Sequence, residues 1–281
     1  MTKLSWNQLT KRRGSSTQGV PPGKESLAWV NNTVTLITGN HDAVLVDTFL
    51  SEQHSKELVE WVAQSGKNLT TIYVTHAHGD HYFGLGLLLE RFPAAKAIAA
   101  RPVAEAIGKQ IDPDFIKSFW EPRFPGQLPK TFAAPQAVME DTFELEGEQL
   151  RIVPLGHTDT SETTALHVPS LGLVMSGDAV YNETHLYLAE CDAAARSEWL
   201  DALDIIEALE PKAVVAGHAI TNPDNSPRHI EATRRYIRDF NATLEKASTH
   251  LDLYNAMLAL YPDRVNPGSL WGAAKAAKPT V

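Results

Sequence analysis

The chain is poor in sulfur and in positive charge, and it has no long apolar run. Its single cysteine, Cys191, excludes an intrachain disulfide, so the fold does not depend on an oxidising compartment. Lysine and arginine number 25 against 34 aspartates and glutamates, a formal charge of −9. Phosphate-binding proteins usually carry a basic surface, and this balance argues against a nucleic-acid partner. No stretch reaches the roughly 18 apolar residues of a membrane span. The opening "MTKLSWNQLTKRRGSS" is polar and basic, without the apolar core of a secretory leader. The expectation is a soluble, cytoplasmic protein with a small-molecule substrate and no membrane partner. Repeats and low-complexity linkers are also absent. What remains is ordinary globular composition, 43% apolar and 21% charged over 281 residues.

Residues 1–26 read as an N-terminal arm that ends in the irregular "GSSTQGVPPGKES", and 27–281 as one domain. "TVTLIT" and "AVLVDT", joined by "GNHD", have the look of a hairpin. "SEQHSKELVEWVAQSG" has helical spacing, with Ser51 as N-cap and Gly66 past its end. "TTIYVT" is a buried-strand run, "GLGLLLERF" a helix and "KAIAA" a further strand. Residues 101–135 differ, being rich in proline and carrying Phe115, Phe119, Trp120, Phe124 and Phe132. They read as an irregular, lid-like insertion, with Phe119 and Trp120 as candidate pocket residues. Strand-like runs follow: "DTFELE", "QLRIVPLG", "TTALHVPS" and "GLVMSGD". A helix near 197–211, the strand "AVVAGHA" and two helices over 227–261 complete the order. The pattern fits an α/β fold, an αββα sandwich of two mixed sheets between helices. The apolar "LWGAA" near the end fits packing on its own domain or on a second copy in a homodimer.

Eleven histidines carry most of the chemical information. His76 and His78 follow "TIYVT", His157 follows "RIVPLG", Asp178 follows "LVMSG" and His218 follows "AVVAG". Each stands at the carboxyl end of an apolar, strand-like run, which is where layered α/β proteins gather ligands. Imidazole and carboxylate donors without a nearby thiolate suit zinc, and iron or manganese remain compatible. Asp80 and His81 open the next helix and face a second ion. Seven donors exceed one tetrahedral site and fit two ions bridged by a carboxylate. His41, His54, His229 and His250 read as surface or loop positions, and His167 as a strand residue. The arginines Arg228, Arg234, Arg235 and Arg238 read as a solvated helix face. His185 is a further candidate for the pocket, and Tyr181 a candidate hydroxyl donor to a developing oxyanion.

"THAHGDH" resembles the HxHxDH pattern of the metallo-β-lactamase superfamily, and "GHT", "GD" and "AGH" follow in that family's order over residues 30–220. The resemblance implies His76, His78 and His157 around one metal and Asp80, His81 and His218 around another. It implies Asp178 as the bridge and Asp47 as the residue that orients the histidine loop. It also implies a hydrolase in which hydroxide shared by two metals attacks a carbonyl, with Asp80 accepting or passing a proton. Among the superfamily's chemistries, opening of a cyclic ester or amide by a lactonase- or lactamase-like enzyme is the first expectation. A thioester hydrolase is the alternative, and a metal-dependent binding or sensing protein a more remote one.

Overall fold

The structure is a computed structural model and describes residues 3–14, 24, 26 and 29–279. The first sheet is β1 (Ser5–Gly14), β2 (Trp29–Thr38), β3 (Asp42–Val46), β4 (Asn68–Val74), β5 (Lys96–Ala100) and β6 (Gln136–Val138), in that spatial order. Its first two pairings are antiparallel and the rest parallel. The second sheet contains β7 (Thr142–Leu145), β8 (Glu148–Gly156), β9 (Thr163–Val168) and β10 (Leu173–Met175). It is completed beyond β10 by β12 (Ala213–Val215), which runs parallel to β10. β11 (Tyr181–Asn182) and β13 (His218–Ala219) form a short parallel pair that sets Tyr181 opposite His218.

Strand periodicity explains the layering, because successive side chains leave opposite faces of a sheet. Along β3, Ala43 and Leu45 enter an outer core, whereas Val44 and Val46 enter the core between the sheets. β4 and β5 divide alike: Ile72 and Ala97 face out, Tyr73 and Ile98 face in. The helices α1 (Glu52–Gln64), α2 (Gly79–Tyr82), α3 (Leu85–Arg91) and α4 (Arg101–Gln110) follow the strands of the first sheet. Leu58 and Val62 of α1, Leu88 of α3 and Ile107 of α4 close the outer core. Beneath the second sheet lie α7 (Ala193–Glu207), α8 (Arg228–Lys246), α9 (His250–Leu260) and α10 (Pro267–Ala277) around Trp199, Phe240 and Met257. The result is the expected order of helix, sheet, sheet and helix.

Several local expectations change. The first part of the arm is a strand: all ten residues of β1 pair with β2, from Ser5 opposite Thr38 to Gly14 opposite Trp29. Most of the irregular stretch after it lies outside the described residues. The 101–135 insertion is largely helical, with α4, α5 (Pro113–Phe115), a π-helical turn over Ile116–Trp120 and α6 (Glu121–Arg123). Three of its prolines start helices, since Pro102, Pro113 and Pro122 sit in first turns where no N–H partner is lost. The C-terminal region contains α10 as a third helix, and its Leu270, Trp271 and Ala274 pack into the core under the second sheet. The apolar "LWGAA" thus meets its own domain. Arg234 is not solvated but buried, pairing at 2.8 Å with Asp204 and Glu207 of α7. His229, expected at the surface, is buried beside Asp224. Among the described residues, no helix is long and apolar enough to cross a membrane.

Candidate metal centre

The loop after β4 carries His76 and His78, and α2 begins at once with Gly79, Asp80 and His81. Asp159 comes from the turn after β8, Asp178 from the 3₁₀ turn after β10, and His218 from β13. Two clusters of donor atoms result. His76, His78, Asp159 and Asp178 form one, and Asp80, His81 and His218 the other. Asp178 stands between them, with Oδ1 3.3 Å from His81 Nε2 and Oδ2 2.8 Å from His218 Nε2. The packing is tight enough to require Gly217, where a Cβ would fall 2.2 Å from Asp178 Oδ1.

Each of the four rings is held by its outer nitrogen. Thr75 donates its hydroxyl proton to Asp47 Oδ2 at 2.8 Å, so its oxygen accepts from His76 Nδ1 at 2.9 Å. His81 Nδ1 donates to Asp47 Oδ2 at 2.9 Å. His218 Nδ1 donates to the carbonyl of Asn31 at 2.6 Å. His78 is anchored by Nε2, 3.0 Å from Glu190 Oε1, and Glu190 in turn accepts from Thr160 at 2.7 Å. These contacts fix the ring orientations and turn the other nitrogen of each imidazole inward, the arrangement metal sites use.

The inward atoms show what is required there. His76 Nε2, His81 Nε2, Asp159 Oδ2 and Asp178 Oδ1 are buried without a hydrogen-bond partner. His78 Nδ1 lies only 2.7 Å from Asp159 Oδ2. Buried polar atoms left like this are costly, and a divalent cation among them satisfies the set. The charges agree. Burial alone would raise the Asp80 carboxyl, but Arg13 foremost, then His81 and His218, hold it far below the usual range. Asp178, also opposed by burial, is pulled well down by His218 and His81. His76 is pushed down by burial and then by His81, and so favours the neutral form that ligates.

The structure separates the expected residues. His76, His78, Asp80, His81, Asp178 and His218 come together, and Asp47 has the orienting contacts expected of it, also accepting from Thr75 N at 2.8 Å. His157 joins neither cluster. The chain shifts register between Pro154 and Gly156, with Gly156 at φ +73°, and Asp159 beyond it lies with His76 and His78. Tyr181 is fully buried and donates to Asp178 Oδ2 at 3.2 Å, so it holds that carboxylate and faces no cavity. His185 is packed against α8, with Nδ1 2.9 Å from Tyr236, and burial followed by Arg264 pushes it down to about 3. Phe119 and Trp120 do line the cavity.

That cavity, about 440 Å³, opens over the centre. Its floor includes His78, Asp80, Asp178 and His218, and its wall Phe115, Phe119, Trp120 and Phe124. Arg13, Arg123, Tyr187 and Glu190 also border it, as does α10 through Gly268, Ser269 and Gly272. Arg123 lies over the Phe119 ring at 3.6 Å and ties α6 to this wall.

The sequence profile of the Metallo-beta-lactamase superfamily matches residues 27–218, which span both clusters. The chain belongs to this superfamily. It is 25% identical over 216 residues to "Metallo-beta-lactamase type 2" of Bacteroides fragilis, covering 75% of this chain and 77% of that protein. A shorter stretch of 84 residues is 27% identical to a hydroxyacylglutathione hydrolase of Actinobacillus pleuropneumoniae, covering 30% of this chain and 34% of that enzyme. The fold agrees with that of a metallo-beta-lactamase family protein of Thermus thermophilus. The two superpose with a TM-score of 0.65 at 19% identity, over 95% of this chain and 91% of that one.

Within the metallo-beta-lactamase frame, four residues escaped the sequence reading. Asp159 was legible as a second polar residue in "GHTD". Glu190, Arg13 and Asn32 carried no local pattern; Arg13 and Asn32 both donate to Asp80 Oδ2, at 2.8 and 2.7 Å.

Proposed function

We propose that this protein is a metallo-hydrolase that opens a cyclic ester or amide, a lactone- or lactam-type small molecule with an apolar body. Zinc is the proposed metal, with one ion in each donor cluster and Asp178 between them. The observation that carries the reading is the shared orientation of four imidazoles, each tied by its outer nitrogen and turned inward to buried, ionised carboxylates. His76, His78, Asp159 and Asp178 would hold one ion; Asp80, His81 and His218 the other. Divalent ions so held supply Lewis acidity and lower the pKa of water towards neutrality.

The protein's own side chains do the rest. Asp47 and Thr75 fix the rings of His76 and His81 before substrate arrives. Arg13 and Asn32 keep Asp80 ionised, which favours a ligand over a proton carrier. The wall of Phe115, Phe119, Trp120 and Phe124 takes up the apolar body and excludes water from the reacting carbonyl. A second reading, thioester hydrolysis, is supported by the local likeness to hydroxyacylglutathione hydrolase.

The test is a panel of lactones, lactams and thioesters given to metal-depleted and zinc-loaded protein, with acid release as readout. Zinc-dependent opening of lactones or lactams is expected. Turnover of thioesters alone transfers the function to the second reading. No turnover of any of the three by fully loaded protein removes the hydrolase.

A further inference from the structure

Arg13 reaches the centre from β1, the edge strand of the first sheet, and its side chain is only 9% exposed. Its Nη2 donates to Asp80 Oδ2 at 2.8 Å and its Nη1 to the Gly14 carbonyl at 3.0 Å. Its Nε is buried without a partner, and its guanidinium lies 5.2 Å from the centre of the Phe124 ring. Among the described residues, Asp80 is the carboxylate with which it pairs. We infer that Arg13 makes the two metal positions unequal. The cluster of His76, His78, Asp159 and Asp178 fills first and tightly; that of Asp80, His81 and His218 holds its ion more weakly. This rests on the metal reading above and adds an order of filling and its cause.

Charge at short range is the cause. Arg13 and Asn32 both donate to Asp80 Oδ2, the oxygen that lies 3.8 Å from His218 Nε2. An ion there shares one carboxylate with a fixed guanidinium, in a buried setting where like charges are poorly screened. The other cluster has Asp159 to itself beside the shared Asp178, and the outer partners of its rings are the neutral Thr75 and the acidic Glu190. Among the described residues, no arginine or lysine is paired with its carboxylates. Asn32 matters to the sign of the effect, because it keeps Asp80 oriented without Arg13. Removing the guanidinium therefore relieves repulsion more than it loosens the ligand. The strand that delivers this charge lies outside the span matched by the superfamily profile, so metal occupancy is set in part by this chain's own N-terminal strand.

The test is zinc titration of metal-depleted protein in buffers of defined free zinc, with bound metal counted by atomic emission. Wild type is expected to fill in two separated steps. Arg13→Gln is expected to tighten the second step by about tenfold or more and leave the first in place. Arg13→Lys, which keeps the charge, is expected to keep the separation. Two equal steps in wild type, or an unchanged second step in Arg13→Gln, overturn the inference and leave the hydrolase reading standing. Equal steps in wild type, or loss of the separation in Arg13→Lys, overturn the inference even where Arg13→Gln does not fold. Absence of bound zinc in every variant overturns the metal reading and this inference together.

Discussion

Glu190 sits 3.0 Å from the outer nitrogen of His78, and this contact decides which face of that ring meets Asp159. The glutamate is half-exposed and belongs to no helix or strand, yet it orients a ring in the floor of the cavity. Replacing it by alanine should leave the fold intact and weaken metal binding by about 10- to 100-fold. Zinc titration with circular dichroism as the folding control checks this; unchanged affinity would show that His78 needs no anchor.

Asp159 and His157 offer a direct contrast within one turn. Asp159→Ala should remove the ion from the cluster of His76 and His78 and lower activity by at least about 100-fold. His157→Ala should leave metal content unchanged, because His157 lies outside both clusters. Metal analysis of the two variants after gel filtration separates them, and loss of zinc from His157→Ala alone would restore the family pattern.

Tyr181→Phe distinguishes a residue that holds Asp178 from one that meets substrate. The hydroxyl donates to Asp178 Oδ2 and is fully buried. Its loss should cost about 1 kcal/mol of stability. Activity should fall less than about tenfold, whereas removal of an oxyanion donor costs about 10²- to 10³-fold. Thermal melts and initial rates on the same preparation decide.

Glu146 supplies the pH prediction. Its carboxylate accepts from the backbone N–H groups of His41, Asp42 and Asn40 at 2.6, 2.8 and 2.9 Å. These bonds, that of His41 first, hold it down to about 2 from an ordinary 4.5. A carboxyl depressed by folding contributes stability above its unfolded value and loses it as pH falls through the folded one. Wild type should therefore be more stable than Glu146→Gln at neutral pH, and the difference should shrink from about pH 4.5 to vanish near 2. Urea melts across that range test the sign.

The sequence exposed the centre where chemistry and strand ends coincide. His76, His78, Asp178 and His218 each follow an apolar run, and the structure draws them together. It concealed whatever depends on the path of a turn. The chain shifts register between Pro154 and Gly156, and two residues past His157 it is Asp159 that joins His76 and His78. β1 was hidden for another reason: its strand is secured by backbone pairing with β2, and Lys11, Arg12 and Arg13 break any apolar alternation. α10 was obscured by Pro267, Gly268 and Gly272, although the proline sits in the first turn, where helices accept it.

The most direct test of the central claim is a crystal structure of zinc-loaded protein with anomalous difference maps at the zinc edge. Peaks are expected about 2.0–2.2 Å from the inward nitrogens of His76 and His78, with Asp159 and Asp178 completing the shell, and a second, weaker peak among Asp80, His81 and His218. A peak ligated by His157 in place of Asp159, or no peak inside the histidine ring, would contradict it.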